Sequence, residues 1–214
     1  MNHDPDRGRI EVITGPMFAG KTEELMRRVR RATIAGLRVL VVNHALDDRR
    51  GASTVSSHAG GRIPARSVNG TADLWRLVDG ADGPDRNDGT GGGTLDLLAI
   101  DEAQFFGADL VPVAIDLADR GVTVVVSGLC LTFDDQPFEP LPALMASAES
   151  VTKLLAVCAV CGADAAFHRR VDGTETAVPV TGEGAGAGVG NSLVAAAEHV
   201  GGAEQYQARC RRHR

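Results

Sequence analysis

Lysine is nearly missing from this chain: of 22 basic residues in 214, Lys21 and Lys153 are the two lysines. Either one therefore carries unusual weight if it falls in a motif. Basic charge is in deficit overall, with a net charge of −6, which argues against nucleic acid as the main partner. No apolar run approaches the roughly 18 residues of a membrane span, so membrane insertion is excluded. The first ten residues, MNHDPDRGRI, lack the apolar stretch of a secretory signal, and the expected location is the cytoplasm. Four cysteines in a cytoplasmic chain suggest a metal site before a disulfide framework. Aromatics are scarce too, at six Phe, one Tyr and one Trp, and no internal repeat is visible.

The remaining composition, 43% hydrophobic and 23% charged, is that of a globular domain, and the length suits one core with a small appendage. Four apolar runs read as strands: residues 10–14 (IEVIT), 37–43 (LRVLVVN), 95–100 (LDLLAI) and 122–127 (VTVVVS). Their nearly continuous apolar character is that of strands buried on both faces, which implies a parallel sheet. Helical patterns over 22–35 and 108–120, stopped by Gly36 and Gly121, with a weaker one over 71–79, complete an α/β alternation. Residues 80–94 hold six glycines and residues 182–190 hold five, and both read as mobile loops. The alternation stops near residue 150, which divides the chain into an α/β core over 1–150 and an appendage over 151–214.

Residues 15–22, GPMFAGKT, fit GxxxxGK[ST] between an expected strand and an expected helix, the context this motif requires. Gly15, Pro16, Met17, Phe18, Ala19, Gly20, Lys21 and Thr22 then form a phosphate-binding loop. Its backbone N–H groups close around phosphate oxygens, Lys21 neutralises the β and γ phosphates, and the Thr22 hydroxyl reaches Mg²⁺. The third apolar run ends in Asp101 and Glu102. Adjacent carboxylates at a strand end point in different directions, so Asp101 serves the metal and Glu102 faces a second ligand as a base. Position alone leaves open whether that base activates water, as in an ATPase, or an alcohol, as in a kinase.

Seven of the eight aromatics lie in or beside these segments, namely Phe18, Phe105, Phe106, Phe133, Phe138, Phe167 and Tyr206, while Trp75 stands apart. That placement suggests a pocket for a flat apolar object such as a base. Cys158, Cys161, Cys210 and His213 form two half-sites, CxxC and CxxH, separated by 48 residues. Their spacing is that of a closed, structural tetrahedral Zn²⁺ site. Alternative readings are unliganded buried thiols, or an all-cysteine set using Cys130 in place of His213.

Taken together these residues resemble the thymidine kinase family that carries a zinc-bearing lasso domain, the type of bacteria and animal cytosol. The likeness covers nearly the whole chain: GPMFAGKT, the DDR of Asp47 to Arg49, Ser57 and His58, DEAQFF over 101–106, GLxxTFxxxPF over 128–138, the CxxC, and GGAEQYxxxCRRH over 201–213. It implies a phosphate-loop NTPase (RecA-like) α/β core with a C-terminal zinc lasso, and transfer of the ATP γ-phosphate to the thymidine 5′-hydroxyl in nucleoside salvage. It implies Glu102 as the general base and Arg49 positioning the 5′ end. Asp101, Glu102, Ala103 and Gln104 would join the phosphate loop at ATP and Mg²⁺. Met17, Phe105, Leu129, Phe133 and Tyr206 would surround the thymine ring, and backbone groups of Ala197, Glu198, His199, Val200 and Gly201 would hydrogen-bond its edge. A homotetramer is implied by the resemblance alone. Three departures stand out: Cys130 where the family usually has an aspartate, His168 where it usually has a threonine, and an insertion over about 181–196. A rival reading is a motor ATPase with a zinc ribbon for nucleic acid, which would want a basic face. Another is a nucleotide-binding module that has lost catalysis.

Overall fold

The computed structural model describes residues 8–46, 54–56, 61–79, 95–171 and 205–214. The four apolar runs become β1 (Arg9–Thr14), β2 (Val39–His44), and, further along the chain, Leu97–Asp101 and Thr123–Gly128. Two short strands, β3 (Thr54–Ser56) and β4 (Arg62–Pro64), form a separate antiparallel hairpin. β5 (Arg66–Val68) follows, so the Leu97–Asp101 strand is β6 and Thr123–Gly128 is β7. With β8 (Ser150–Lys153) they build one six-stranded sheet, in the order β5-β2-β6-β7-β1-β8, with every pairing parallel. β6 and β7 are buried along their whole length, as expected of central strands covered on both faces.

Helices α1 (Lys21–Ile34), α2 (Thr71–Asp79), α3 (Leu110–Asp119) and α4 (Leu141–Ser147) flank the sheet. α1 buries Leu25, Met26, Val29 and Ala32, one stripe at helical spacing, against Ile13, Val41, Ala99 and Val125 of the sheet. Each such fully buried aliphatic side chain contributes roughly 1.5–3 kcal/mol. α3 and α4 cover the opposite face, where Leu110, Val113, Leu117, Leu141 and Leu144 meet Val12, Leu98, Ile100, Val124 and Val126. Arg28 ties α1 to the sheet edge, donating to Glu24 on its own helix, to Glu11 of β1 and to Thr152 of β8.

β8 and α4 were not foreseen in the sequence, and the sheet runs past residue 150 to Lys153. SVTK alternates half-buried and exposed positions, the mark of an edge strand, and at four residues gives little periodic signal. Two small antiparallel pairs follow: β9 (Ala156–Val157) with β10 (Asp164–Ala165), and β11 (Phe167–Arg170) with β12 (Tyr206–Arg209). Residues 80–94 and 182–190 lie outside the described residues, as do Arg49, Ser57, His58 and Ala197 to Gly201. Among the described residues no helix is long and apolar enough to cross a membrane.

Candidate active site and metal centre

The loop between β1 and α1 wraps the N-terminus of the helix. Gly15 has φ 153° and packs so tightly that a Cβ there would lie 2.5 Å from the Leu154 carbonyl oxygen. No other residue fits. Phe18 and Gly20 take left-handed backbone conformations, and Phe18 is partly exposed at 37%. Lys21 Nζ donates to the Pro16 carbonyl at 2.8 Å, so the lysine arches over the loop. The helix begins at Lys21, leaving its first N–H groups facing the loop, where an anion gains from both the N–H donors and the helix dipole.

β6 lies between β2 and β7, and its last residue, Asp101, reaches across to α1. The Thr22 hydroxyl donates to Asp101 Oδ2 at 3.1 Å, while Ser127 of β7 and the Glu102 N–H donate to Oδ1 at 2.7 and 3.1 Å. Burial, reinforced by the charge of neighbouring Glu102, raises the Asp101 carboxyl to about 6 despite these donors. An anion held this far from water is poised for a cation, which would remove the cost of ionising it. Ser127 was missed in the sequence; its signal is a single hydroxyl closing the apolar run of β7 level with Asp101 on the adjoining strand.

Glu102 has φ 49° and ψ 45°, a strained conformation for a non-glycine residue, and it turns the chain abruptly into the 3₁₀ turn Ala103–Phe106. Asp101 and Glu102 thereby point to different partners. Gln104 Nε2 donates to Glu102 Oε2 at 2.6 Å, and the other end of the same amide accepts from Leu129 N–H at 3.1 Å. Gln104 is buried, and Gly128 makes room for it: a Cβ there would lie 2.7 Å from Gln104 Oε1. The Gln104 side chain is thus spent on orienting Glu102 and anchoring the loop after β7.

That loop carries Phe133, whose ring lies 6.3 Å from the ring of Tyr206 on β12. Tyr206 also meets His168 of β11 edge-on at 5.9 Å. His168 is buried, and desolvation, with the Lys21 charge next, lowers it to about 3, so its ring is neutral. The aromatic cluster inferred from sequence is narrower in the structure. Phe106 packs in the core beneath the sheet, Phe138 is buried, and Phe167 lies under the guanidinium groups of Arg211 and Arg214. Phe105 packs against His44, also missed in the sequence. Trp75 does stand apart, beneath Arg120.

The two half-sites of the appendage come together. β9 and β10 flank the turn of Cys158 and Cys161, and β12 delivers Cys210 and His213. The four ligand atoms lie within 4.8 Å of one another: Cys161 Sγ to Cys210 Sγ is 3.8 Å, and His213 Nδ1 is 3.7 Å from Cys158 Sγ and 3.3 Å from Cys210 Sγ. Metal–sulfur bonds of about 2.3 Å in a tetrahedron put sulfurs about 3.8 Å apart, so the spacing fits a Zn²⁺-sized ion. Burial opposes ionisation of Cys158. Hydrogen bonds from the backbone of Cys210, Val160 and Cys161, with His213, outweigh it and lower the thiol to about 5, toward the thiolate a metal takes. Cys130 is not in this group but in the core beside the sheet, which removes the all-cysteine set.

A family model for thymidine kinase matches residues 8–214. The chain belongs to the thymidine kinase family. Among curated relatives, a thymidine kinase of Deinococcus deserti is 45% identical, covering 96% of this chain and 94% of its own. One from Halobacterium salinarum is 45% identical over 95% and 92%, and one from Bdellovibrio bacteriovorus 41% identical over 97% and 85%. Among solved structures, domain III of the Thermotoga maritima replication initiation protein DnaA aligns with TM-score 0.39 and 19% identity, over 71% of this chain and 56% of that one, too slight a likeness to bear on function. The matched residues, 8–214, include the loop between β1 and α1, the Asp101–Glu102 turn and the cysteine–histidine cluster.

Proposed function

We propose that the chain transfers the γ-phosphate of ATP to the 5′-hydroxyl of thymidine. The observation that carries this reading is the Thr22–Asp101 hydrogen bond, because it joins the phosphate loop to the strand end whose next residue is Glu102. Residues 15–22 hold the triphosphate, with Lys21 leaving its place on the Pro16 carbonyl for the β and γ phosphates. Thr22 and Asp101 would hold Mg²⁺, which neutralises phosphate charge when bound. Ala103 and Gln104 complete that wall.

Glu102, steadied by Gln104, takes the proton of the 5′-hydroxyl as that oxygen bonds to the γ-phosphorus. The bond from the γ-phosphorus to the bridging oxygen breaks, and ADP leaves with the electron pair. Arg49 positions the 5′ end. Met17, Phe105, Leu129, Phe133 and Tyr206 enclose the base, and the backbone of Ala197, Glu198, His199, Val200 and Gly201 reads its edge. Cys158, Cys161, Cys210 and His213 would hold structural Zn²⁺ that anchors the lasso, which begins after β8 at residue 154, to the α/β core. A cytoplasmic homotetramer follows from the family resemblance alone.

ADP release measured in a coupled assay with and without thymidine tests this reading. Release is expected to depend on thymidine and to yield thymidine monophosphate in step with ADP. Equal release in both arms would instead favour a water-activating ATPase, and none in either arm a binding module without catalysis.

A further inference from the structure

The turn after Leu131 carries an ion pair that the proposed chemistry does not use. Asp135 sits in the left-handed region at φ 65°, unusual for a residue with a side chain, inside a tight turn closed by Gln136 N–H donating to the Thr132 hydroxyl at 3.0 Å and by Asp135 N–H donating to the Thr132 carbonyl at 3.2 Å. Arg169 of β11 grips its carboxylate with both terminal nitrogens, Nη1 to Oδ1 at 3.1 Å and Nη2 to Oδ2 at 2.6 Å. The same Nη1 donates to the carbonyl oxygen of Phe133. Arg214, beside the metal-site histidine, approaches Asp135 Oδ2 at 3.6 Å. Both partners of the central pair are largely shielded, with side-chain exposures of 27% and 24%.

A planar guanidinium that binds a carboxylate by two bonds and a carbonyl by a third fixes orientation as well as distance. Its targets are the turn bearing Phe133; its own strand, β11, pairs in register with β12, where Arg169 stands opposite Gln207 and Arg170 opposite Tyr206. One side chain therefore spans the two elements whose rings, Phe133 and Tyr206, face each other at 6.3 Å.

We propose that Arg169 and Asp135 are positioning residues that set the spacing of Phe133 and Tyr206 for the nucleoside base. This rests on the reading that these rings hold thymidine. The phosphate loop and Asp101 are fixed by other bonds, so the pair acts on nucleoside affinity and leaves ATP binding alone.

The test compares thymidine and ATP KM values, with zinc content, for the full chain and three variants. Asp135→Gly removes the carboxylate while keeping a residue at ease at φ 65°, so the turn itself survives. Arg169→Ala removes all three bonds, and Arg169→Lys retains one charge that cannot make all three together. Thymidine KM is expected to rise about 10- to 100-fold for Arg169→Ala, comparably for Asp135→Gly and less for Arg169→Lys, with ATP KM within about 2-fold of the unaltered chain and zinc retained. A rise in both KM values together with zinc loss marks a merely structural pair and overturns the proposal, as does an unchanged thymidine KM in Asp135→Gly and Arg169→Ala. Failure of the unaltered chain to use thymidine at all overturns the functional reading, and the pair's nucleoside role with it.

Discussion

Replacing Glu102 with glutamine is expected to lower thymidine-dependent turnover by about 10²-fold or more while ATP still binds. Glutamine keeps the size of the side chain and can still meet Gln104, so the 3₁₀ turn over Ala103–Phe106 should persist. What it loses is the ability to take the 5′-hydroxyl proton. Asp101 cannot substitute, since its two oxygens are already engaged by Thr22, Ser127 and the Glu102 N–H. Turnover and ATP affinity measured side by side decide the matter: unchanged turnover would remove Glu102 from the chemistry, and a parallel loss of ATP affinity would move it to the metal side of the site.

An effect of similar size is expected in the appendage. Four protein ligands would close a tetrahedral site and leave no place for catalytic water, so a metal held there would be structural. Binding of Zn²⁺ to such a site is worth on the order of 10 kcal/mol, far more than the short pairs β9–β10 and β11–β12 supply by themselves. The purified chain should hold about one zinc, and Cys161→Ser should lose it. Because Tyr206 opens the strand that ends beside Cys210, thymidine turnover should be lost along with the metal, while Cys130→Ser keeps its zinc. Zinc that survives Cys161→Ser would contradict this ligand set, and zinc that disappears in Cys130→Ser would favour the all-cysteine one.

Different parts of the molecule were legible in the sequence to different degrees. β1, β2, β6 and β7 each lie within two residues of an apolar run, because strands buried on both faces must be apolar throughout. The tight loop between β1 and α1 was legible because its glycines answer to backbone constraints that the structure makes explicit at Gly15. The clustering of Cys158, Cys161, Cys210 and His213 was legible because chelation demands fixed spacing within each half-site. What escaped was whatever depends on contacts between distant segments. Ser127 looks like an ordinary polar residue until β7 is set beside β6, and the bonds by which Gln104 joins Glu102 to Leu129 show only in the folded chain. Arg169 and Asp135 are 34 positions apart, with no local pattern to join them. The aromatic grouping was over-read, since proximity to a motif in sequence does not separate Phe133, beside Tyr206, from Phe106 and Phe138, which fill the interior.

The most direct test of phosphoryl transfer to an alcohol is ADP release with thymidine set against 5′-deoxythymidine, which presents the same base and lacks only the accepting hydroxyl. Thymidine is expected to give ADP and thymidine 5′-monophosphate in equal amounts. 5′-Deoxythymidine should compete with thymidine and release almost no ADP. ADP and free phosphate appearing at the same rate with both nucleosides would show that Glu102 activates water, and would contradict the kinase assignment.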